Sequence, residues 1–245
     1  MSTSDDLPRD SADRTPGTGN RRTVLVLAAV IALAVGFLLG FLARIPLEDS
    51  RPADPTAGSV DVGFCQDMTV HHNQAIEMSA IAVTSSQDQY VRNLAYDILT
   101  TQQNQVGQME GWLTMWGQPP LPSGPYMAWM SDDSGHSHGA TSDDHGHESD
   151  GMASADGMAT MPGMASSEDL ANLRAATGVE QDVLFLQLML RHHEGGLPMM
   201  EYGAQYASES VVRGLAQKMV DTQTSESQLM TSMLAERGAE PLPMN

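Results

Sequence analysis

Residues 61–78 read DVGFCQDMTVHHNQAIEM, and residues 182–199 read DVLFLQLMLRHHEGGLPM. Asp61, Val62, Phe64, Gln66, Met68, His71, His72 and Met78 return as Asp182, Val183, Phe185, Gln187, Met189, His192, His193 and Met199, always 121 positions on. The offset then holds without a gap. Val91-Arg92 returns as Val212-Arg213, Leu94-Ala95 as Leu215-Ala216, Thr101-Gln102 as Thr222-Gln223, Met109 as Met230 and Leu113 as Leu234. Even Pro120-Leu121-Pro122 comes back as Pro241-Leu242-Pro243. Composition alone does not produce an ungapped repeat of this length; the chain reads as one helical hairpin, duplicated.

The repeat has helical periodicity. At about 100° per residue, Asp61, Phe64, Met68, His71, His72, Ala75, Ser79 and Ala82 fall on one stripe, with Glu77 opposite. Asp182, Phe185, Met189, His192, His193, Gly196, Met200 and Gly203 form the matching stripe. A second helix in each half aligns Val91, Ala95, Ile98, Gln102, Gln105, Val106, Met109 and Leu113, and then Val212, Ala216, Met219, Gln223, Glu226, Ser227, Met230 and Leu234. Ser85-Ser86 and Ser208 are expected N-caps, and Gly117 and Gly238 expected terminators. Four amphipathic helices with one extended connection predict an all-α, ferritin-like four-helix bundle over residues 60–245. Ser166–Leu173 predicts a short capped helix before the second repeat, and Pro198 a kink behind the second His pair.

Ahead of the repeat, residues 1–22 lack apolar periodicity and are expected to be a disordered cytoplasmic tail. Residues 23–43 carry no charge and are long enough to cross a bilayer. The arginines before this segment favour a single-pass plasma-membrane anchor with the bundle extracytoplasmic; secretion after signal-peptide cleavage is the alternative. Residues 44–59 form a Pro-rich linker.

The formal charge of −19, from 31 acidic and 12 basic residues, argues against nucleic acid as a partner, because phosphate binding needs clustered Lys and Arg. One cysteine, Cys65, permits no internal disulfide, and its bland reading is a small buried hydrophobe. Methionine, at 18 residues, is unusually abundant.

The crossover at 123–165 is expected to be disordered and is biased to metal ligands. It holds His136, His138, His145 and His147 in two His-x-His pairs, then Met152, Met158 and Met164 in Gly-Met-Ala units six residues apart, with Met161 added between the last two. Imidazole suits Cu(II) and thioether selects Cu(I), so a chain rich in both points to copper in either oxidation state. The bundle site expected from the residues is His71, His72, His192 and His193, with Met68 and Met189 one turn away, Met78 and Met199 further on, and Glu226 across from the second pair. The crossover ligands form a weaker set.

Each feature also has a structural reading. The His pairs could be satisfied by Gln102, Gln223 and Glu226 in a polar core without metal, and single methionines serve as core filler. A ferritin-type di-iron enzyme needs inner Glu-x-x-His motifs, which are missing here, so an enzyme is disfavoured, metal-dependent redox chemistry being the remaining alternative.

The stretch Phe64-x-x-x-Met68-x-x-His71-His72-x-x-Ala75-Ile76-x-Met78, followed by Thr101-Gln102, Met109 and Leu113, resembles the bacterial DUF305 family. So does Phe185-x-x-x-Met189-x-x-His192-His193 with Thr222-Gln223-x-x-Glu226 and Met230. The resemblance implies a ferritin-like helical bundle, exported or membrane-tethered, with some members implicated in copper binding and tolerance. Gln105, where the family tends to have Glu, and Gly195-Gly196-Leu197-Pro198 depart from the pattern. The expectation is a copper-sequestering or copper-transferring protein whose partners are a metal ion, a membrane and an unidentified copper acceptor.

Overall fold

The computed structural model describes residues 19–48, 53–130 and 158–245. Residues 1–18 of the expected 1–22 tail, residues 49–52 of the expected 44–59 linker, and His136, His138, His145, His147 and Met152 lie outside these residues, whereas 19–22 and 44–48, expected as tail and linker, are helical. The chain divides into two units, Met1–Ala53 and Asp54–Asn245. The first holds α1 (Gly19–Glu48), whose segment Asn20–Ala43 is long and apolar enough to cross a membrane.

Every regular element among the described residues of the second unit is a helix. The unit contains α2 (Val60–Ser85), α3 (Gln89–Met115), a short α4 (Ser167–Ala175), α5 (Gly178–Tyr206) and α6 (Ser210–Glu236). α2 packs on α3, α5 packs on α6, and α2 meets α5 between the two hairpins. Asp61, at the start of α2, accepts from the backbone N–H groups of Ser208 (3.0 Å) and Glu209 (2.8 Å), just past the end of α5. Asp182, at the start of α5, accepts from Ser86 Oγ (2.5 Å), just past the end of α2. α2 and α5 are therefore antiparallel, and each hairpin's first carboxylate closes the other hairpin's turn.

These contacts correct the expected caps. Asp88, not Ser85 or Ser86, caps α3 through its side chain. Glu209, not Ser208, is the N-cap of α6 and makes no side-chain cap bond. The orphan donors there are satisfied instead by Asp61 from across the bundle, which also places negative charge at a helix N-terminus. The terminators are as expected: Gly117 and Gly238 adopt φ of 64° and 65°. Each is followed by a bond from the next residue back into the last turn, Gln118 N–H to the Leu113 carbonyl and Ala239 N–H to the Leu234 carbonyl. A left-handed residue is cheap only for glycine, which is why both helices stop there. α4 carries the expected capping box between Ser166 and Asp169. α5 runs as one helix through Pro198 with no break after the His pair, although Pro198 cannot donate to the Glu194 carbonyl.

The core is in two parts. Ala75, Met78, Ile98, Phe185, Met189, Met230 and Leu234 belong to one apolar cluster. Phe64, Met68, Met109, Leu113, Met199, Met200 and Met219 belong to the other. Because α2 and α5 are antiparallel, these clusters occupy opposite ends of the bundle, and the His pairs form a polar layer between them.

The edges of the crossover are folded, contrary to the expectation that all of 123–165 lacks structure. Tyr126 and Met158 form a two-way backbone bridge, and residues Ala128–Met130 make a 3-10 turn. The buried Asp67 carboxylate accepts from Met127 N–H and Trp129 Nε1–H, both at 2.7 Å. Trp129 lies over Gly63, where any Cβ would collide with its ring. At the other edge Gln74 exchanges two hydrogen bonds with the backbone of Ala165, at 2.7 and 2.9 Å. Arg191 then holds Asp169 of α4 at 2.8 Å.

Candidate metal site at the bundle centre

His71, His72, His192 and His193 are all buried. The rings of His71 and His192 lie 3.7 Å apart between centroids, at 32°. His72 and His193 flank them, each 6.4 Å from its neighbour in sequence.

The hydrogen bonds repeat with the sequence. His72 Nε2 meets Gln105 Oε1 at 2.8 Å, and His193 Nε2 meets Glu226 Oε2 at 2.8 Å. His192 Nε2 meets the His71 backbone carbonyl at 3.1 Å. Every acceptor here is an oxygen, so the ring proton sits on Nε2. A neutral imidazole held in this way leaves Nδ1 as a bare lone pair. The Nδ1 atoms of His72, His192 and His193 have no hydrogen-bond partner, and neither ring nitrogen of His71 has one. The Pro162 carbonyl lies toward His71 and favours its charged form without making a well-formed hydrogen bond. Gln102 and its counterpart Gln223 also leave buried amide atoms unpaired. Buried polar atoms normally find partners, so this concentration of orphans in one layer requires a reason.

Burial keeps His71, His72 and His192 neutral. Desolvation pushes His71 and His192 well below the ordinary 6.5, and the neighbouring imidazoles add to this. His72 is pushed down to about 4, by burial first, with the Gln105 hydrogen bond opposing. Neutral imidazole is the form that binds metal. Cys65 is fully buried, and burial, reinforced by Asp61, drives its thiol far up, so it stays protonated in the metal-free protein.

The methionines expected near the site divide by cluster. Met68 and Met199 border the histidine layer on one side, with Met161 and Met127 from the crossover. Met189 and Met78 border it on the other. Met161, expected among loose capture ligands, is instead a buried core residue only 3% exposed. Met158 and Met164 are half-buried against the same cluster. Glu226 stands behind His193 on its Nε2 side, so it orients that ring rather than facing the bare Nδ1. Carboxylates commonly occupy this position behind metal-binding histidines. Among the described residues, no three His, Cys, Asp or Glu side chains are arranged to close on one ion.

Residue patterning does not expose what three residues contribute, although it marks Gly195 and Gly196 as departures from the first repeat. Asp67 is polar on a buried face where the second repeat has Leu188, a local irregularity that could have marked it. Gly196 stands where the first repeat has Ala75, and a Cβ there would come within 2.6 Å of His71 Cε1. Gly195 stands where the first repeat has Gln74, and a Cβ there would strike the Pro162 carbonyl. The Gly-Gly pair is thus fitted to one ring and one strap.

The chain matches the family model described as a domain of unknown function, DUF305, over residues 61–234. No curated protein matches. Among solved structures it is similar to a DUF305 protein from Streptomyces coelicolor, at 39% identity and TM-score 0.64, covering 77% of this chain and 99% of that one. A DUF305 fragment from Deinococcus radiodurans is 34% identical with TM-score 0.54, over 76% of this chain and 99% of the fragment. CopM in its Cu(I)-bound form shares the fold at 19% identity and TM-score 0.51, over 72% of this chain and 96% of that one. The bundle formed by residues 60–236 and its paired histidines therefore belong to a member of the DUF305 family.

Proposed function

We propose that the protein is an extracytoplasmic copper-binding protein that sequesters copper or hands it on, with the four buried histidines as its structured site. The observation that carries this reading is the set of unpartnered Nδ1 atoms in one buried layer. Met68 and Met199 on one side, and Met189 and Met78 on the other, would supply soft sulfur donors. CopM, which shares the fold, has been solved with Cu(I) and with Cu(II) bound. Copper is the metal that uses both donor types in this chain, and the crossover's His136, His138, His145, His147 and Met152 would add weaker capture sites. α1 would hold the bundle at the membrane, or be removed on secretion; the Streptomyces coelicolor relative is described as a proposed secreted protein.

The test is anaerobic Cu(I) titration of the full chain in detergent, wild type against the His71/His72/His192/His193→Ala variant. The expected result is loss of the tight component. Unchanged stoichiometry and affinity would sink the bundle site. The single replacements His72→Gln and His193→Gln guard against a variant that does not fold.

A second reading is a bundle whose His/Gln core only fixes helix register. The lack of three convergent His, Cys, Asp or Glu ligands among the described residues favours it. It predicts that Cu(I) leaves the melting temperature unchanged. A ligand bound only to the native state at a hundred times its Kd would add about 2.7 kcal/mol.

A further inference from the structure

Between α5 and α6 lies an open groove of about 510 Å3 that reaches the histidine layer from one side. His193 and Gln223 form part of its lining, although they are only 1% and 4% exposed. The Nδ1 atom of His193 and the Oε1 atom of Gln223 are both buried without partners. Glu194, Ser227 and Thr231 are among the other residues lining it, with Leu197 as an apolar element. Glu226, bonded to His193, keeps 16% of its side chain exposed.

The first repeat is built differently at these positions. Val106 stands in place of Ser227 and is buried in the apolar core, 3% exposed. Asn73 stands in place of Glu194, and Gln105 in place of Glu226. A branched aliphatic side chain therefore lies where the second half has a small hydroxyl, and both acidic side chains are missing.

We propose that this groove is the route by which a monovalent soft cation enters and leaves the buried histidines, with Ser227 as its gate and His193 as the first imidazole met. The proposal rests on the copper reading of the histidine layer. Glu194 and Glu226 attract the cation to a low-dielectric cleft and offset its lost hydration on the way in. Hydroxyl and amide oxygens in the lining give it passing contacts without holding it. Gln223, with a free amide oxygen beside His193, is the last such contact. Traffic is one-sided because Val106 occupies the corresponding space in the other hairpin.

The test uses the full chain in detergent, loaded with Cu(I) and mixed with excess bathocuproine disulfonate, whose cuprous complex absorbs as it forms. Ser227→Val copies the first repeat, and Ser227→Trp fills the groove further. Both are expected to slow release by about tenfold or more, with Kd and stoichiometry unchanged, because blocking a path slows both directions equally. Gln103→Trp, on the matching face of α3, is expected to leave the rate as in wild type. Release as fast in both Ser227 variants as in wild type would overturn the route, as would equal slowing by Gln103→Trp. Failure of the underlying reading shows separately, as Cu(I) binding that survives replacement of all four histidines.

Discussion

The imidazole of His71 lies 3.7 Å from that of His192, centroid to centroid, and His192 Nε2–H donates to the His71 backbone carbonyl at 3.1 Å. Two rings so close in a dry core can persist only if they are neutral, since two imidazoliums at this distance would repel strongly. The contact also joins the hairpins at their midpoint, residue 71 of α2 against residue 192 of α5. The contact thus adds to the register already held by Asp61 and Asp182 at the two ends, while burial keeps both rings neutral.

Stability of the metal-free protein follows from that neutrality. His71 and His192 are held well below 6.5, and His72 near 4. As pH falls below about 6.5 the unfolded chain takes up protons that the folded chain refuses, so stability drops through the window from 6.5 toward 4. His72 alone accounts for a loss on the order of 3 kcal/mol across that window. Asp67 acts in the opposite sense, because burial raises its carboxyl in the folded state, but it is one group against three. Urea midpoints of chelator-treated protein at pH 7.5 and pH 5 check this. A midpoint that does not fall at pH 5 would mean the rings are not held neutral.

Glu226 and Gln105 make the same bond to equivalent histidines, one with charge and one without. Glu226→Gln should keep the His193 tautomer while removing the carboxylate's push on the ring. The expected outcome is about a 10- to 100-fold weaker Cu(I) affinity, the usual cost of losing such a partner. Gln105→Glu should strengthen binding at His72. Chelator-competition titrations measure both, and equal affinities in all three proteins would remove the asymmetry between the half-sites.

The helices, their faces and the inward histidines are legible in the sequence because each depends on local spacing, repeated at a fixed offset. Gly117 and Gly238 likewise act through their own conformation. The caps escape such a reading where the partner is distant: the orphan donors at Ser208 and Glu209 are satisfied by Asp61, 147 and 148 positions away. The crossover's folded edges are hidden for the same reason. Asp67 reaches Met127 and Trp129 across 60 and 62 positions, and Gln74 reaches Ala165 across 91. A low-complexity composition describes what a segment could do in isolation, and so it misses Met161, which long-range contacts bury.

Asp67 is the main fastening of the first crossover edge. Asp67→Ala would leave the Met127 N–H and the Trp129 Nε1–H without their acceptor. Two lost bonds to a carboxylate should cost about 2–4 kcal/mol. Chemical denaturation followed by circular dichroism reads the loss, and a red-shifted tryptophan emission reports Trp129 leaving its seat over Gly63. Asp67→Asn keeps an acceptor oxygen and should lose less than half as much.

Gly196 and Gly214 are both helical glycines, and the same substitution should move stability in opposite directions. Gly214, in α6, has open space where a Cβ would stand, with nothing within 4 Å, so Gly214→Ala gains helix propensity, about 0.5–1 kcal/mol. At Gly196 the Cβ would come within 2.6 Å of His71 Cε1. The ring cannot retreat freely, because His192 is stacked 3.7 Å away. Overpacking should outweigh the propensity gain and leave Gly196→Ala less stable by about 1–3 kcal/mol. The displaced His71 ring should also weaken Cu(I) binding, which Gly214→Ala leaves unchanged. Thermal melts and Cu(I) titrations of the two variants test the pair together. A stabilised Gly196→Ala with unaltered binding would show that His71 is not confined by α5.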